Sequence, residues 1–208
     1  MAFVIVVAQQ KGGAGKSTLA ANLAVGLLEY GPVTLLDADP QQSLGRWQAI
    51  RAARGEDRLL FEAPSGWRVS GALDRLKRAS GFVVLDTPPH VESDARSAIR
   101  AAQHVLIPLQ PFLPDLWASE ATIRLAEAEK KPWHYVLNRV PPQGRVRDVV
   151  MEELARRKAP VLEEALGNRS AFAAAFATGQ GVTEAAPRSA AAAEVRALAS
   201  SLRRIAGQ

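Results

Sequence analysis

Five short apolar runs, Phe3–Ala8, Val33–Leu36, Phe82–Leu85, Val105–Leu109 and Trp133–Leu137, recur along the chain at strand length. Each is apolar at consecutive rather than alternate positions, which predicts strands covered on both faces, as in a parallel sheet. The segments between them have helical character: Ser17–Glu29, with Leu19, Leu23 and Leu27 on one stripe, then Ser43–Ala53, Ser70–Ala79, Glu92–Ala101 and Ala118–Lys130. The last third reads as mostly helical, through Arg147–Arg157, Ser170–Thr178 and Ala190–Ile205, with a short strand near Pro160–Glu163 and a loop over Ala185–Ala193 leading into the final helix. Alternation of strand and helix predicts an α/β fold, a mostly parallel twisted sheet flanked by helices on both faces, in one domain spanning the chain.

Pro40, Pro88, Pro89, Pro108, Pro111, Pro114, Pro141 and Pro142 fall just after the predicted strands, where the chain turns. Loops at the carboxyl ends of parallel strands are where open α/β sheets hold ligands, so chemistry is sought there. The 208 residues contain no cysteine, which excludes disulfides, thiolate metal sites, iron–sulfur clusters and cysteine nucleophiles. No apolar run approaches the ~20 residues of a membrane span, and MAFVIVVAQQ reads as a first strand and not a signal peptide, so a cytoplasmic protein is expected. A net charge of +5 favours a polyanionic partner without identifying one.

The common phosphate-loop pattern needs glycine five positions before its final Gly-Lys pair, and Gln10 stands there. Instead Lys11-Gly12-Gly13-Ala14-Gly15-Lys16-Ser17-Thr18 carries a second lysine at the start of the loop. Placed between a strand and a helix, this loop offers backbone N–H groups and a helix N-terminus to phosphates, Lys16 to neutralise them and the Ser17 hydroxyl to magnesium. The segment resembles the deviant Walker A loop of ParA/MinD-type ATPases, and the likeness runs along essentially the whole chain. The resemblance implies ATP and Mg2+ as ligands, and a Lys11 that crosses a homodimer interface to touch the partner's nucleotide.

Asp37-Ala38-Asp39-Pro40 follows the second strand and puts two carboxylates near the phosphates. One can hold magnesium through water while the other orients the attacking water, or the pair can simply cap the helix beginning near Ser43. The resemblance gives hydrolysis chiefly to Asp39 and magnesium support to Asp37. Val83–Pro89 is an apolar strand ending in Asp86-Thr87-Pro88-Pro89, like the family's switch segment, which implies Asp86 near magnesium and Thr87–Pro89 as a γ-phosphate sensor. Asn138 lies where the family places an adenine-binding amide. Gln110–Trp117, QPFLPDLW, resembles the proline-containing loop of the small partition ATPases, with a part in the dimer contact; Trp117 itself is expected to pack. His90, His104 and His134 are scattered, as surface or packing residues.

With its first strand close behind Met1, the chain resembles the short ParA class, which has no N-terminal helix-turn-helix extension. That likeness implies a slow ATPase whose ATP-bound dimer binds DNA non-specifically on the nucleoid and is released when a ParB-like or other adaptor stimulates hydrolysis. The cargo is a plasmid, a chromosome or a large protein assembly. Basic residues toward the C-terminus are the DNA candidates: Arg145, Arg147, Arg156, Arg157, Lys158, Arg169, Arg188, Arg196, Arg203 and Arg204. Two alternatives compete. A MinD-like membrane ATPase needs an insertable terminal helix, for which RALASSLRRIAGQ offers only Leu198, Leu202 and Ile205. A small-molecule synthetase needs acid/base groups outside the phosphate loops, and no convergent set is evident.

Overall fold

Neighbouring residues of the apolar runs pass to opposite sides of one sheet. In the computed structural model, which describes residues 1–66, 68–89, 92–143 and 145–207, the strands are β1 (Phe3–Val7), β2 (Val33–Asp37), β3 (Leu59–Glu62), β4 (Phe82–Asp86), β5 (His104–Leu109), β6 (Trp133–Val140) and β7 (Val161–Gly167). They form a seven-stranded sheet in the order β3-β2-β4-β1-β5-β6-β7, and every neighbouring pair is parallel. Ile5 and Val7 of β1, with Phe82 and Val84 of β4, face one core; Val4, Val6, Val83 and Leu85 face the other.

The first core is covered by α1 (Lys16–Leu27), α2 (Ser43–Ala53), α7 (Ser170–Ala177), α8 (Val182–Ala185) and α9 (Ala190–Ile205). The second lies under α3 (Arg68–Leu76), α4 (Glu92–Ala101), α5 (Leu113–Ala128) and α6 (Val146–Arg156). Both faces of the sheet are therefore apolar, which explains the unbroken hydrophobic runs. From β1 the chain visits β2, β3 and β4 on one side and β5, β6 and β7 on the other. The reversal of order puts a crevice at the carboxyl end of β1, where the glycine-rich loop sits.

Five elements depart from the sequence reading. Strand β3 was not anticipated; it is a four-residue edge strand with Leu59 buried and Leu60 59% exposed, too short and too one-sided to leave an apolar run. Helix α5 begins at Leu113, ahead of the expected Ala118, because Pro114 stands in its first turn, where its missing N–H has no partner to lose. Strands β6 and β7 run beyond their expected ends, to Val140 and Gly167, and the short α8 was not anticipated.

Candidate nucleotide site

The loop between β1 and α1 turns on two glycines held in the left-handed region, Gly13 at φ 79° and Gly15 at φ 87°. Gly15 is doubly required, since a Cβ there would lie 2.6 Å from the Asn138 amide nitrogen. Lys16 opens α1 and is only 6% exposed. Burial lowers its pKa, opposed by the charges of Asp86 and Asp39. Asp86, at the end of β4, is fully buried, and neither of its oxygens has a hydrogen-bond partner. Burial pushes its carboxyl up to about 7, while the nearby Ser17 hydroxyl pulls it down without closing a hydrogen bond.

A buried carboxyl with no hydrogen-bond partner, beside a serine hydroxyl at a phosphate loop, is a donor set that fits magnesium. Among the described residues no group of three or more histidines and carboxylates could enclose a metal ion. Magnesium here would depend on Ser17, Asp86, water and the oxygens of a bound phosphate, the partial protein shell that this ion ordinarily accepts.

The two carboxylates after β2 have different tasks. Asp37 is buried; its Oδ1 accepts the Asp39 N–H at 3.0 Å and its Oδ2 the Gly45 N–H at 3.0 Å. Burial raises its pKa and these backbone hydrogen bonds oppose the rise. Asp37 thus caps α2 and shapes its own loop, as a carboxylate ahead of Ser43 can. Asp39 is half-buried, accepts the Gln41 N–H at 2.9 Å and is close enough to Lys16 to act on its charge. Thr87 is tethered to β1, its hydroxyl donating to the Val7 carbonyl at 3.0 Å.

Lys11 reaches across its own chain. Its ammonium pairs with Asp115 in the first turn of α5, whose side chain is 4% exposed and whose second oxygen has no partner, and it lies 6.0 Å from the centre of the Phe112 ring. Asp115 carries no signal in the sequence beyond its place in QPFLPDLW, because 104 residues separate the pair. Beside them Trp117 is 56% exposed and Phe112 53%, which corrects the expectation that Trp117 packs.

Three side chains from the ends of β5 and β6 grip the glycine loop. Gln110 Nε2 and Arg139 Nη1 both donate to the Gly13 carbonyl, at 3.0 and 3.1 Å, and Asn138 Nδ2 donates to the Ala14 carbonyl at 2.9 Å. Asn138 Oδ1 accepts the Arg139 N–H at 3.0 Å, which leaves one amide N–H and one lone pair for the adenine expected there. A cleft of about 460 Å³ opens next to them, lined by Thr18, Asn138, Arg139, Asn168, Arg169 and Phe172 among others. Gln9, 2% exposed at the root of the loop, has an unpartnered amide nitrogen that sequence reasoning did not single out.

Of the basic candidates, Arg156 and Arg157 pair with Glu153, Arg169 with Glu194, Arg196 with Glu29 and Arg204 with Glu164, while Arg203 stacks over Tyr30. Arg145, Arg147, Lys158 and Arg188 have no ion pair among the described residues. His104 and His134 stack with ring centres 5.0 Å apart, far from being scattered; His90 lies outside the described residues.

A doubly covered parallel sheet whose first strand turns through glycines into a helix, with a buried lysine and a lone buried aspartate at that turn, is the architecture of a P-loop nucleotide-binding protein. The chain belongs to the CobQ/CobB/MinD/ParA nucleotide binding domain family, whose model matches residues 5–182. It is 30% identical over 204 residues to the maintenance of carboxysome distribution protein A of Halothiobacillus neapolitanus, covering 93% of this chain and 92% of that one. It is 35% identical over 188 residues to the protein ParA of Rhizobium radiobacter, covering 85% and 83%. The septum site-determining protein MinD of Pyrococcus horikoshii, solved with Mg-ADP, superposes with a TM-score of 0.75 at 20% identity over 100% of this chain and 98% of that one, a likeness of fold. The ParA/MinD resemblance read from Lys11–Thr18 is thereby established, together with the α/β architecture.

Proposed function

We propose that the protein is a nucleotide-switched ATPase that dimerises on ATP, binds DNA without sequence preference as the dimer, and leaves it when a ParB-like or other adaptor stimulates hydrolysis. The cargo is a plasmid, a chromosome or a large protein assembly positioned on the nucleoid. The observation that carries this reading is the convergence of Lys16, Ser17, Asp39 and the unpartnered Asp86 on a glycine loop whose first lysine is half-exposed. Phosphates occupy the loop amides and Lys16 offsets their charge; Ser17 and Asp86 would hold magnesium, which would neutralise the phosphates further. Asp39, aimed by Asp37, orients the attacking water. Lys11 reports nucleotide state by leaving its own chain for the partner's phosphates.

The membrane alternative is disfavoured by α9, whose Leu198 and Leu202 are 0% exposed in the core. Only Ile205, 40% exposed, remains to meet a bilayer. Light scattering of the Asp39→Ala protein with ATP and Mg2+ tests the switch: a stable dimer that retains DNA is expected, and a monomer with Lys11→Ala added. An Asp39→Ala protein that stays monomeric at saturating ATP removes the dimer from the scheme.

A further inference from the structure

In a trans peptide the carbonyl of one residue and the N–H of the next point in opposite directions, so holding the carbonyl fixes where the N–H aims. The Gly13 carbonyl receives two donors, from Gln110 and Arg139, and the Ala14 carbonyl a third, from Asn138. These bonds draw both carbonyls toward the ends of β5 and β6. They thereby turn the Ala14 and Gly15 N–H groups to the opposite side of the loop. Gly13 and Gly15, both left-handed, are free to comply with this orientation at no steric cost.

The grip requires a departure from strand geometry. Adjacent residues of a strand face opposite ways, yet Asn138 and Arg139 both reach the same loop. Arg139 manages it in the left-handed region, at φ 52°, a conformation that arginine seldom adopts. The β6–β7 pairing is irregular at that point: Leu137 pairs with Ala165 and Val140 with Gly167, three steps on β6 against two on β7. The extra residue is a bulge that re-aims side chains. Strained backbone held in place next to a ligand loop is a sign of function.

We infer that Gln110, Asn138 and Arg139 are positioning residues that preset the phosphate-binding amides of the loop. The inference rests on the phosphate-loop reading above and adds to it the reason why those amides are ready before nucleotide arrives.

Isothermal titration of the wild type and of Asn138→Ala with Mg-ATP, Mg-GTP and inorganic tripolyphosphate separates the alternatives. Positioning requires the affinity for tripolyphosphate, which carries no base, to fall on the order of five- to tenfold for one lost hydrogen bond. Unchanged tripolyphosphate affinity overturns the inference for Asn138, whatever becomes of the ATP/GTP ratio. A wild type that binds none of the three overturns it together with the phosphate-loop reading. Arg139→Gly gives an independent arm, because glycine relieves the left-handed strain while deleting the donor. Weaker tripolyphosphate binding, by roughly tenfold, in a protein that melts no lower than wild type supports positioning. Unaltered binding in that variant refutes it for Arg139.

Discussion

Buried without a charge partner, His104 titrates against the fold. Its Nε2 lies 3.1 Å from Nδ1 of His134, its own Nδ1 is unpartnered, and burial first, then His134, lowers its pKa to about 4. A histidine depressed in the folded state stabilises above its unfolded pKa and loses that stability as pH falls through the folded value. Unfolding by urea is therefore expected to show a loss approaching 3 kcal/mol as pH falls from 6.5 to about 4, and His104→Gln should flatten it. Nothing in the sequence distinguished this histidine from a surface one; its burial follows from register, which sets it against Ile5 of β1. That Lys16, Ser17 and Asp86 lie together at the loop was legible, because a phosphate loop and a strand ending in aspartate are local patterns. The tasks of Asp37 and Asn138 were not, since an acceptor or amide has no fixed use until its neighbours are known.

At the scale of elements, α5 and α2 each carry a tie across the molecule. Asp115 in α5 holds Lys11 within its own chain, so a lysine that crosses to a partner leaves a buried carboxylate behind. Asp115→Asn keeps the shape and removes that cost; the variant is expected to dimerise at severalfold lower ATP, measured by analytical ultracentrifugation. No change there would mean that the pair does not restrain Lys11. In α2, Arg51 is fully buried and forks onto Glu184 at 2.7 and 2.8 Å, with a further bond to the Gly179 carbonyl at 3.2 Å. Trp47 adds a bond from its indole nitrogen to the Gln180 carbonyl at 3.3 Å. Removing one side of such a buried pair strands the other, so Glu184→Gln is expected to lower stability by roughly 3 kcal/mol in chemical denaturation.

Over the whole molecule, internal pairing divides the basic residues into two sets. Arg156, Arg157, Arg169, Arg196 and Arg204 are already neutralised by acids of the same chain, whereas Arg145, Arg147, Lys158 and Arg188 have no ion pair among the described residues. If DNA is the polyanion, Arg145→Glu and Arg147→Glu should weaken binding of the ATP-bound protein far more than Arg156→Glu, in fluorescence anisotropy. A dimer contacting ~6 phosphates should also lose on the order of a thousandfold in affinity between about 50 and 200 mM salt.

The amino-acid order alone determined the doubly covered sheet and the phosphate loop, because apolar periodicity and glycine, lysine and serine at fixed spacing act locally and survive without knowledge of neighbours. Only the tertiary structure decided that Lys11 is held by Asp115, that Asp37 caps α2 and that three side chains hold the Gly13 and Ala14 carbonyls. Apart from the Asp37 cap, whose partner Gly45 is 8 positions on, those contacts join residues 97 to 126 positions apart. They exist because the strand order brings β5 and β6 to one side of β1. Hydrogen bonds and ion pairs depend on distances of about 3 Å, and no local pattern specifies which distant side chain will arrive there.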